Sequence, residues 1–175
     1  MLTIAPAFLV TAANASEGKS SLIEYISTSV TGDDAPSQSL ALSDEELEKA
    51  LVGTYKKNPE MINFDNLASA ATLKSRLLDQ IITEEVFYGR MLGHNVQAKL
   101  ILNSMLVFNG NNIYIDGDTT TRILTCRLGS DDLEPATRVY TTRNVKAQAL
   151  ANRPRTLGLL ASLLRWWILQ NHKPK

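Results

Sequence analysis

Eight residues near the N-terminus, Ala13-Asn14-Ala15-Ser16-Glu17-Gly18-Lys19-Ser20, are of types that together can hold a phosphate. Gly18 lets the backbone come close to an oxyanion. Successive N–H groups can then wrap the anion, and a helix opening at this point adds the favourable end of its dipole. Lys19 supplies a point charge able to bridge β- and γ-phosphates, and the Ser20 hydroxyl suits Mg²⁺. This is the relaxed phosphate-loop pattern with Ala13 at the first glycine position, and with Ser21 the expected binding set is 13–21. Glu17 is the odd member, because a carboxylate beside a phosphate cradle repels the ligand unless it points outward.

A phosphate loop of this kind needs a carboxylate at the end of a neighbouring strand to order the water shell of the Mg²⁺. Asp65 fits, closing the apolar run Met61–Phe64, although capping the following segment would also explain it. Its distance from Lys19 leaves room for an extra strand, which favours the additional-strand class of P-loop ATPases over the kinase and GTPase type. Asn66 follows where such ATPases carry a glutamate base, and an amide cannot take a proton from water. Either another carboxylate does so, Glu84 and Glu85 being candidates, or turnover relies on positioning and is slow. The segment Val107-Phe108-Asn109-Gly110-Asn111-Asn112 places polar amides at a strand end. Asn111 is the first choice to orient the attacking water and Asn109 the second, with a plain Asn-Gly turn as the alternative. Arg122, just before the strand Ile123–Arg127, could reach a neighbouring subunit's γ-phosphate or be solvated or locally paired.

The elements that must position these residues follow from periodicity. A buried strand is expected at 7–12, and a helix over 18–30 with Leu22, Ile23, Ile26 and Val30 on its apolar face. A short strand is expected at 39–42, and a helix from a capping box at Ser43 to about Val52. A third helix, 70–82, carries Leu73, Leu77, Leu78 and Ile81. A β-hairpin spans 85–103, a core strand 105–108 and a helical turn 118–122. One C-terminal helix ends near Arg153 and another starts at Pro154. Alternating strands and helices give an α/β fold with a mostly parallel sheet, a three-layer sandwich with an inserted hairpin and C-terminal helices. The expected domain organisation is an ATPase core at 1–134 and a basic helical segment of the same domain at 135–175.

Composition narrows the class. The 175 residues are 44% apolar, enough for a core, and the single cysteine, Cys126, excludes an internal disulfide and a cysteine metal site. Cys126 is expected to be an inert core thiol, and one of Trp166 and Trp167 to pack in the core with the other at its edge. No run of 18 apolar residues occurs and the first ten residues lack the features of a signal peptide, so a cytoplasmic protein without a membrane span is expected. Net charge is zero, but residues 1–134 hold 18 acidic and 10 basic side chains, whereas 135–175 hold 8 basic and none acidic. The basic segment reads as a face for a polyanion, a head-to-tail subunit contact or a solvated helix.

The order of motifs resembles the superfamily 3 type of AAA+ helicase domain, in particular that of phage and mobile-element primase-helicases. The resemblance runs from Ala-Pro-Ala-Phe-Leu-Val-Thr-Ala before the loop through Ile-Asn-Phe-Asp-Asn, Gly-Arg-Met-Leu-Gly and Gly-Asn-Asn to Arg122-Ile-Leu-Thr-Cys-Arg-Leu. It implies ATP and Mg²⁺ as cofactors, Asp65 as the metal carboxylate, Asn111 as the sensor asparagine and Arg122 as a finger acting in trans. It also implies a homo-oligomeric, hexameric ring with the hairpin at 91–99 in its channel, where His94 and Lys99 would touch DNA, single-stranded or forked. The chain starts directly at the first strand, without the helical oligomerisation segment or primase module such proteins carry, as expected of a fragment. The leading expectation is an ATP-driven DNA motor. A slow ATP-binding switch is second, and a degenerate structural remnant third.

Overall fold

The computed structural model describes residues 6–40, 43–90, 97–129 and 144–170. In chain order the elements are β1 (Ala7–Ala12), α1 (Lys19–Thr31), β2 (Ser37–Gln38), α2 (Asp44–Tyr55), β3 (Met61–Leu67), β4 (Thr72–Leu73) and α3 (Arg76–Thr83). The hairpin strands β5 (Val86–Arg90) and β6 (Gln97–Ile101) follow, then β7 (Met105–Asn111), β8 (Tyr114–Ile115), a 3-10 turn (Gly117–Thr121), β9 (Ile123–Leu128) and α4 (Val145–Leu169). The chain forms two compact units. One holds the residues up to Ser20 and those from Ala35 through β9; the other holds Ser21–Asp34 and α4.

The first unit is built on a five-stranded sheet in the order β2-β3-β7-β1-β9, with every pair parallel. Parallel neighbours require crossover connections, which the intervening helices supply. Strand alternation gives the sheet two faces. On one, Leu9, Phe108 and Phe64 align across β1, β7 and β3, and the two phenyl rings stack 5.0 Å apart. Leu47 and Leu51 of α2 and Leu78 of α3 join the same apolar cluster. The other face of β3 and β7 carries Asn63, Val107 and Asn109, all buried. Ser43 caps α2 by accepting from the Glu46 N–H, as the capping box predicts.

Several expectations are corrected. The third helix is shorter than 70–82, because the backbone at Thr72 and Leu73 pairs with Tyr114 and Ile115, and Ser75 then caps α3. Leu73 is buried, but as a strand residue whose spacing from Leu77 matches a helix by coincidence. The short edge strand is Ser37–Gln38 rather than 39–42, set by its pairing with Asn63 and Phe64, and residues 41–42 lie outside the described ones. Cys126 is exposed, since β9 is the last strand of the order and only Ile123 of it is buried.

In the second unit, the face of α1 differs from expectation. Ile23, Ser27, Thr28 and Ser29 are buried while Ile26 and Val30 are exposed. Two of the hydroxyls can go inside because Ser27 donates to the Asp33 carbonyl and Thr28 to the Asp34 carboxylate, whereas the Ser29 hydroxyl is buried without a partner. The C-terminal segment is one helix rather than two. Pro154 removes a single backbone donor, and α4 runs through it from its Asn144 cap to Leu169. Lys146 pairs with Asp33 and Asp34 at 2.9 and 2.8 Å, which lowers the Asp33 carboxyl below its ordinary value. Arg153 donates to the Val30 and Thr31 carbonyls. These ties all come from the first half of α4. In the second half Leu159, Leu163 and Trp166 are exposed and Trp167 only marginally so, and the expected core position is taken by neither indole.

Gly110 is closely packed between neighbouring side chains. An added Cβ would stand 2.8 Å from Ile113 Cδ1 and 2.9 Å from Leu67 Cβ. Gly53 in α2 is exposed, with nothing within 4 Å of such a Cβ. Gly110→Ala is therefore expected to destabilise by about 1–3 kcal/mol, and Gly53→Ala to stabilise by about 0.5–1 kcal/mol. Urea unfolding midpoints of opposite sign test this; a fall of equal size in both would contradict the packing argument.

Candidate functional site

The sheet order brings the C-terminal ends of β1, β7 and β3 side by side, and the phosphate-loop residues leave the first of these. Asn112 anchors the exit, its N–H donating to the Ala12 carbonyl and its amide to the Ala13 carbonyl at 3.1 Å. The backbone then turns through two left-handed residues, Ser16 (φ 61°) and Gly18 (φ 85°), before α1 begins at Lys19. A Cβ at Gly18 would meet nothing within 4 Å, so the glycine answers to its dihedral and not to a neighbouring wall. No acidic residue occupies the first turn of α1, so the positive end of its dipole meets no carboxylate from within the helix itself.

Lys19 folds back over this end. Its ammonium donates to Asn111 Oδ1 at 2.6 Å and to the Asn14 carbonyl at 3.3 Å. The structure thus brings together Lys19, from the loop after β1, and Asn111, 92 positions later at the end of β7. Asn109, two residues before Asn111, is 2% exposed and bonded within the sheet: its amide donates to Asn63 Oδ1 at 3.0 Å. Of the two candidate asparagines, only Asn111 is at the loop. Asp65 stands on β3 at the same end of the sheet, one strand beyond β7, or about 10 Å from β1 by strand spacing. It is partly buried, and its Oδ1 accepts from the Asn66 N–H at 2.7 Å. Asn66 (φ 55°) sits in a register shift between Phe64 and Leu67, a local bulge.

Glu17 does not point freely into solvent. Oε1 accepts from Asn14 Nδ2 at 3.0 Å, a clasp across the loop, while Oε2 is buried without a hydrogen-bond partner. Ser20 and Asp65 are hard oxygen donors of the kind Mg²⁺ takes alongside water and phosphate. Among the described residues no cluster of three or more His, Cys, Asp or Glu could hold a metal on its own. A donor set of two hard oxygens is of the kind that Mg²⁺ recruited together with a phosphate would use.

Arg122 lies at the other end. Its carbonyl accepts from the Ala7 N–H at the start of β1, so the length of β1, about 20 Å, separates it from the chain's own loop. Its guanidinium meets Asp79 of α3 at 3.6 Å, and Asp79 also accepts from Thr119 at 2.7 Å. Glu84 and Glu85 are at this far end as well. The Leu102 N–H donates to the Glu85 carbonyl, and Met105 then opens β7 at the end opposite Asn111. That removes both glutamates as bases for water at this loop. Lys99 is exposed on β6, paired in register with exposed Tyr88. His94 lies outside the described residues. The sequence reading missed the Asp79 partner of Arg122 and the Asn63–Asn109 bond. A signal for the latter exists, because Asn63 and Asp65 alternate with Phe64 as Asn109 and Asn111 flank Gly110.

No protein-family model matches the chain, and no curated protein matches its sequence. Among solved structures, the A form of the apo C-terminal region of NrS-1 superimposes with a TM-score of 0.52 at 16% identity. The match covers 84% of this chain and 33% of that one, so the chain spans about a third of its neighbour's length. The likeness is one of fold. No helix among the described residues is long and apolar enough to cross a membrane.

The buried, unpartnered oxygen of Glu17 sets up a test. Glu17→Gln keeps the acceptor for Asn14 and removes the charge, so ADP affinity is expected to rise about tenfold at low salt through lost repulsion. Fluorescence titration with a labelled ADP measures it. Unchanged affinity would mean the carboxylate acts on the loop's shape alone.

Proposed function

We propose that this chain is an ATP-binding and ATP-hydrolysing motor domain of a DNA primase-helicase from a phage or mobile element, working in a homo-oligomeric ring. The observation that carries the reading is the 2.6 Å bond between Lys19 and Asn111, a cation from the loop and a neutral amide from the adjacent strand end. The insertion of β7 between β1 and β3 supports the additional-strand class. The fold likeness to the NrS-1 C-terminal region supports the same architecture.

In this reading the loop amides and the N-terminus of α1 bind the β-phosphate, and Lys19 leaves Asn111 to bridge β- and γ-phosphates. Asn111, released, orients the attacking water. Mg²⁺ held by Ser20 and Asp65 would supply neutralisation of the phosphate charge. Arg122 of one subunit would stabilise the charge spreading over the γ-phosphate of the next. Lys99 and His94 on the hairpin would contact the DNA. Two observations favour slow turnover and keep a nucleotide-switch reading in play: Asn66 takes the place of a base, and Arg122 is engaged by Asp79.

Single-stranded DNA is expected to raise the ATP turnover of the protein, and Lys19→Ala to abolish both labelled-ATP binding and turnover. A phosphate-release assay with and without DNA checks this. ATP binding without any turnover would select the switch, and undiminished binding by Lys19→Ala would remove the phosphate site.

Arg122→Ala is expected to bind ATP normally and to lose turnover by about 10³-fold in assembled protein. The Thr119–Asp79 bond survives the substitution, so the local fold should persist. Mixing Arg122→Ala with Lys19→Ala protein should restore part of the activity, because mixed interfaces pair an intact loop with an intact arginine. Steady-state kinetics on the mixtures decide; absence of any rescue would confine Arg122 to its pair with Asp79.

A further inference from the structure

Asn109 sits inside the central strands, 2% exposed, between the buried Val107 and the loop-facing Asn111. A primary amide is costly to bury unless both its ends are bonded. Here both are. Nδ2 donates to Asn63 Oδ1 at 3.0 Å, and Oδ1 accepts from the Asn66 N–H at 3.4 Å. That same N–H also donates to Asp65 Oδ1 at 2.7 Å. The donor belongs to a left-handed asparagine (φ 55°) at the only register shift between β3 and β7 among the described residues. A non-glycine residue holds such a conformation when its surroundings over-determine it.

We propose that Asn109 is the positioning residue for Asp65. Its amide, fixed on β7 and braced by Asn63, clamps the bulge at Asn66, and the bulge N–H in turn holds the Asp65 carboxylate. Asn109 touches neither phosphate nor metal. It acts on divalent-cation affinity through the aim of Asp65, much as outer-shell partners orient metal ligands. The bond to Asn63 braces the clamp; the bond to the Asn66 N–H is the one that reaches the carboxylate. The inference rests on the phosphate-site reading and goes beyond it in giving the second asparagine a role separate from that of Asn111.

The test is the Mg²⁺ dependence of fluorescent-ADP binding, measured with graded Mg²⁺ and in EDTA. For Asn109→Leu, metal-free ADP binding should match the parent, while the Mg²⁺ concentration for half-maximal enhancement should rise about 10- to 100-fold. Asn63→Leu breaks the same amide–amide bond but leaves the acceptor for Asn66, and should shift the Mg²⁺ requirement far less. An unchanged Mg²⁺ requirement in Asn109→Leu, an equal shift in Asn63→Leu, or an equal loss of metal-free binding would each overturn the proposal. Should Asn109→Leu fail to fold, Asn109→Thr, strand-compatible but too short to span to Asn66, is expected to give the same Mg²⁺ shift, and a parent-like value for it would overturn the proposal. A parent protein that binds ADP with no help from Mg²⁺ at all would instead bring down the metal site at Asp65, and one that binds no ADP the phosphate site itself.

Discussion

An ammonium at the mouth of a helix needs oxygen ligands, and in this protein the ligand comes from another strand. Lys19 reaches Asn111 only because β7 lies directly beside β1, with Ala12 opposite Asn111. A one-residue slip in that register would turn Asn111 to the opposite face and leave the cation with the Asn14 carbonyl alone. The register is in turn enforced from the apolar side, where Leu9, Phe108 and Phe64 align and the two rings stack. Packing on one face of the sheet thus sets the polar geometry at its end.

The same parallel arrangement gives the first unit two chemically different ends. The C-terminal ends of the strands carry the loop, Asn111 and Asp65. The N-terminal ends carry Arg122, with Asp79 and the segment at Glu84–Glu85 beside them. No side chain can bridge the length of β1. Under the proposed function, any joint work by Arg122 and Lys19 therefore requires a second subunit, and the pairing of Arg122 with Asp79 is what that subunit would have to exchange for phosphate oxygens. The pair is partly buried but long, at 3.6 Å, and the phosphate oxygens would have to offset its loss.

Much of this was legible in the residues. The strand at 7–12, the loop, the hairpin and the turn before β9 follow from short apolar runs and their punctuation, signals that sit within the local sequence. What was not legible depends on partners distant in the chain. Leu73 has helical spacing, but Ile115 claims its backbone for a strand. Cys126 lies in an apolar run, yet its burial depends on where its strand falls in the order, and β9 falls at the edge. Pro154 looks like a helix start, yet Lys146 and Arg153, whose ties to Asp33 and the Val30 carbonyl lie before it, belong to the same helix as the residues after it. The choice between Asn109 and Asn111 needed the third dimension, because both amides end the same strand and only one meets the lysine.

The polar residues of this end are costly for the fold, and the costs are distributed in a pattern. Phe64 and Phe108 would be matched on the opposite face by apolar residues if stability alone governed; instead the chain places Asn63 and Asn109 there and satisfies them with each other. Glu17 keeps a buried oxygen without a partner, Ser16 and Asn66 hold left-handed backbone, and the Lys19 charge is held by two neutral oxygens. Each feature lies at one end of three adjacent strands or in the loop that leaves them. Unpartnered or left-handed groups occur elsewhere too, at Ser29, Tyr55 and Asn58, so what sets this end apart is that its costly groups surround the lysine and the carboxylate of the candidate site. Under the proposed function, a site that must release Lys19, admit phosphate oxygens and aim Asp65 needs contacts that are strong enough to hold the geometry and incomplete enough to be exchanged. On that reading the contacts of Glu17 and Lys19 are the ones to be exchanged on binding, and the fully bonded Asn63–Asn109 brace the one to be kept.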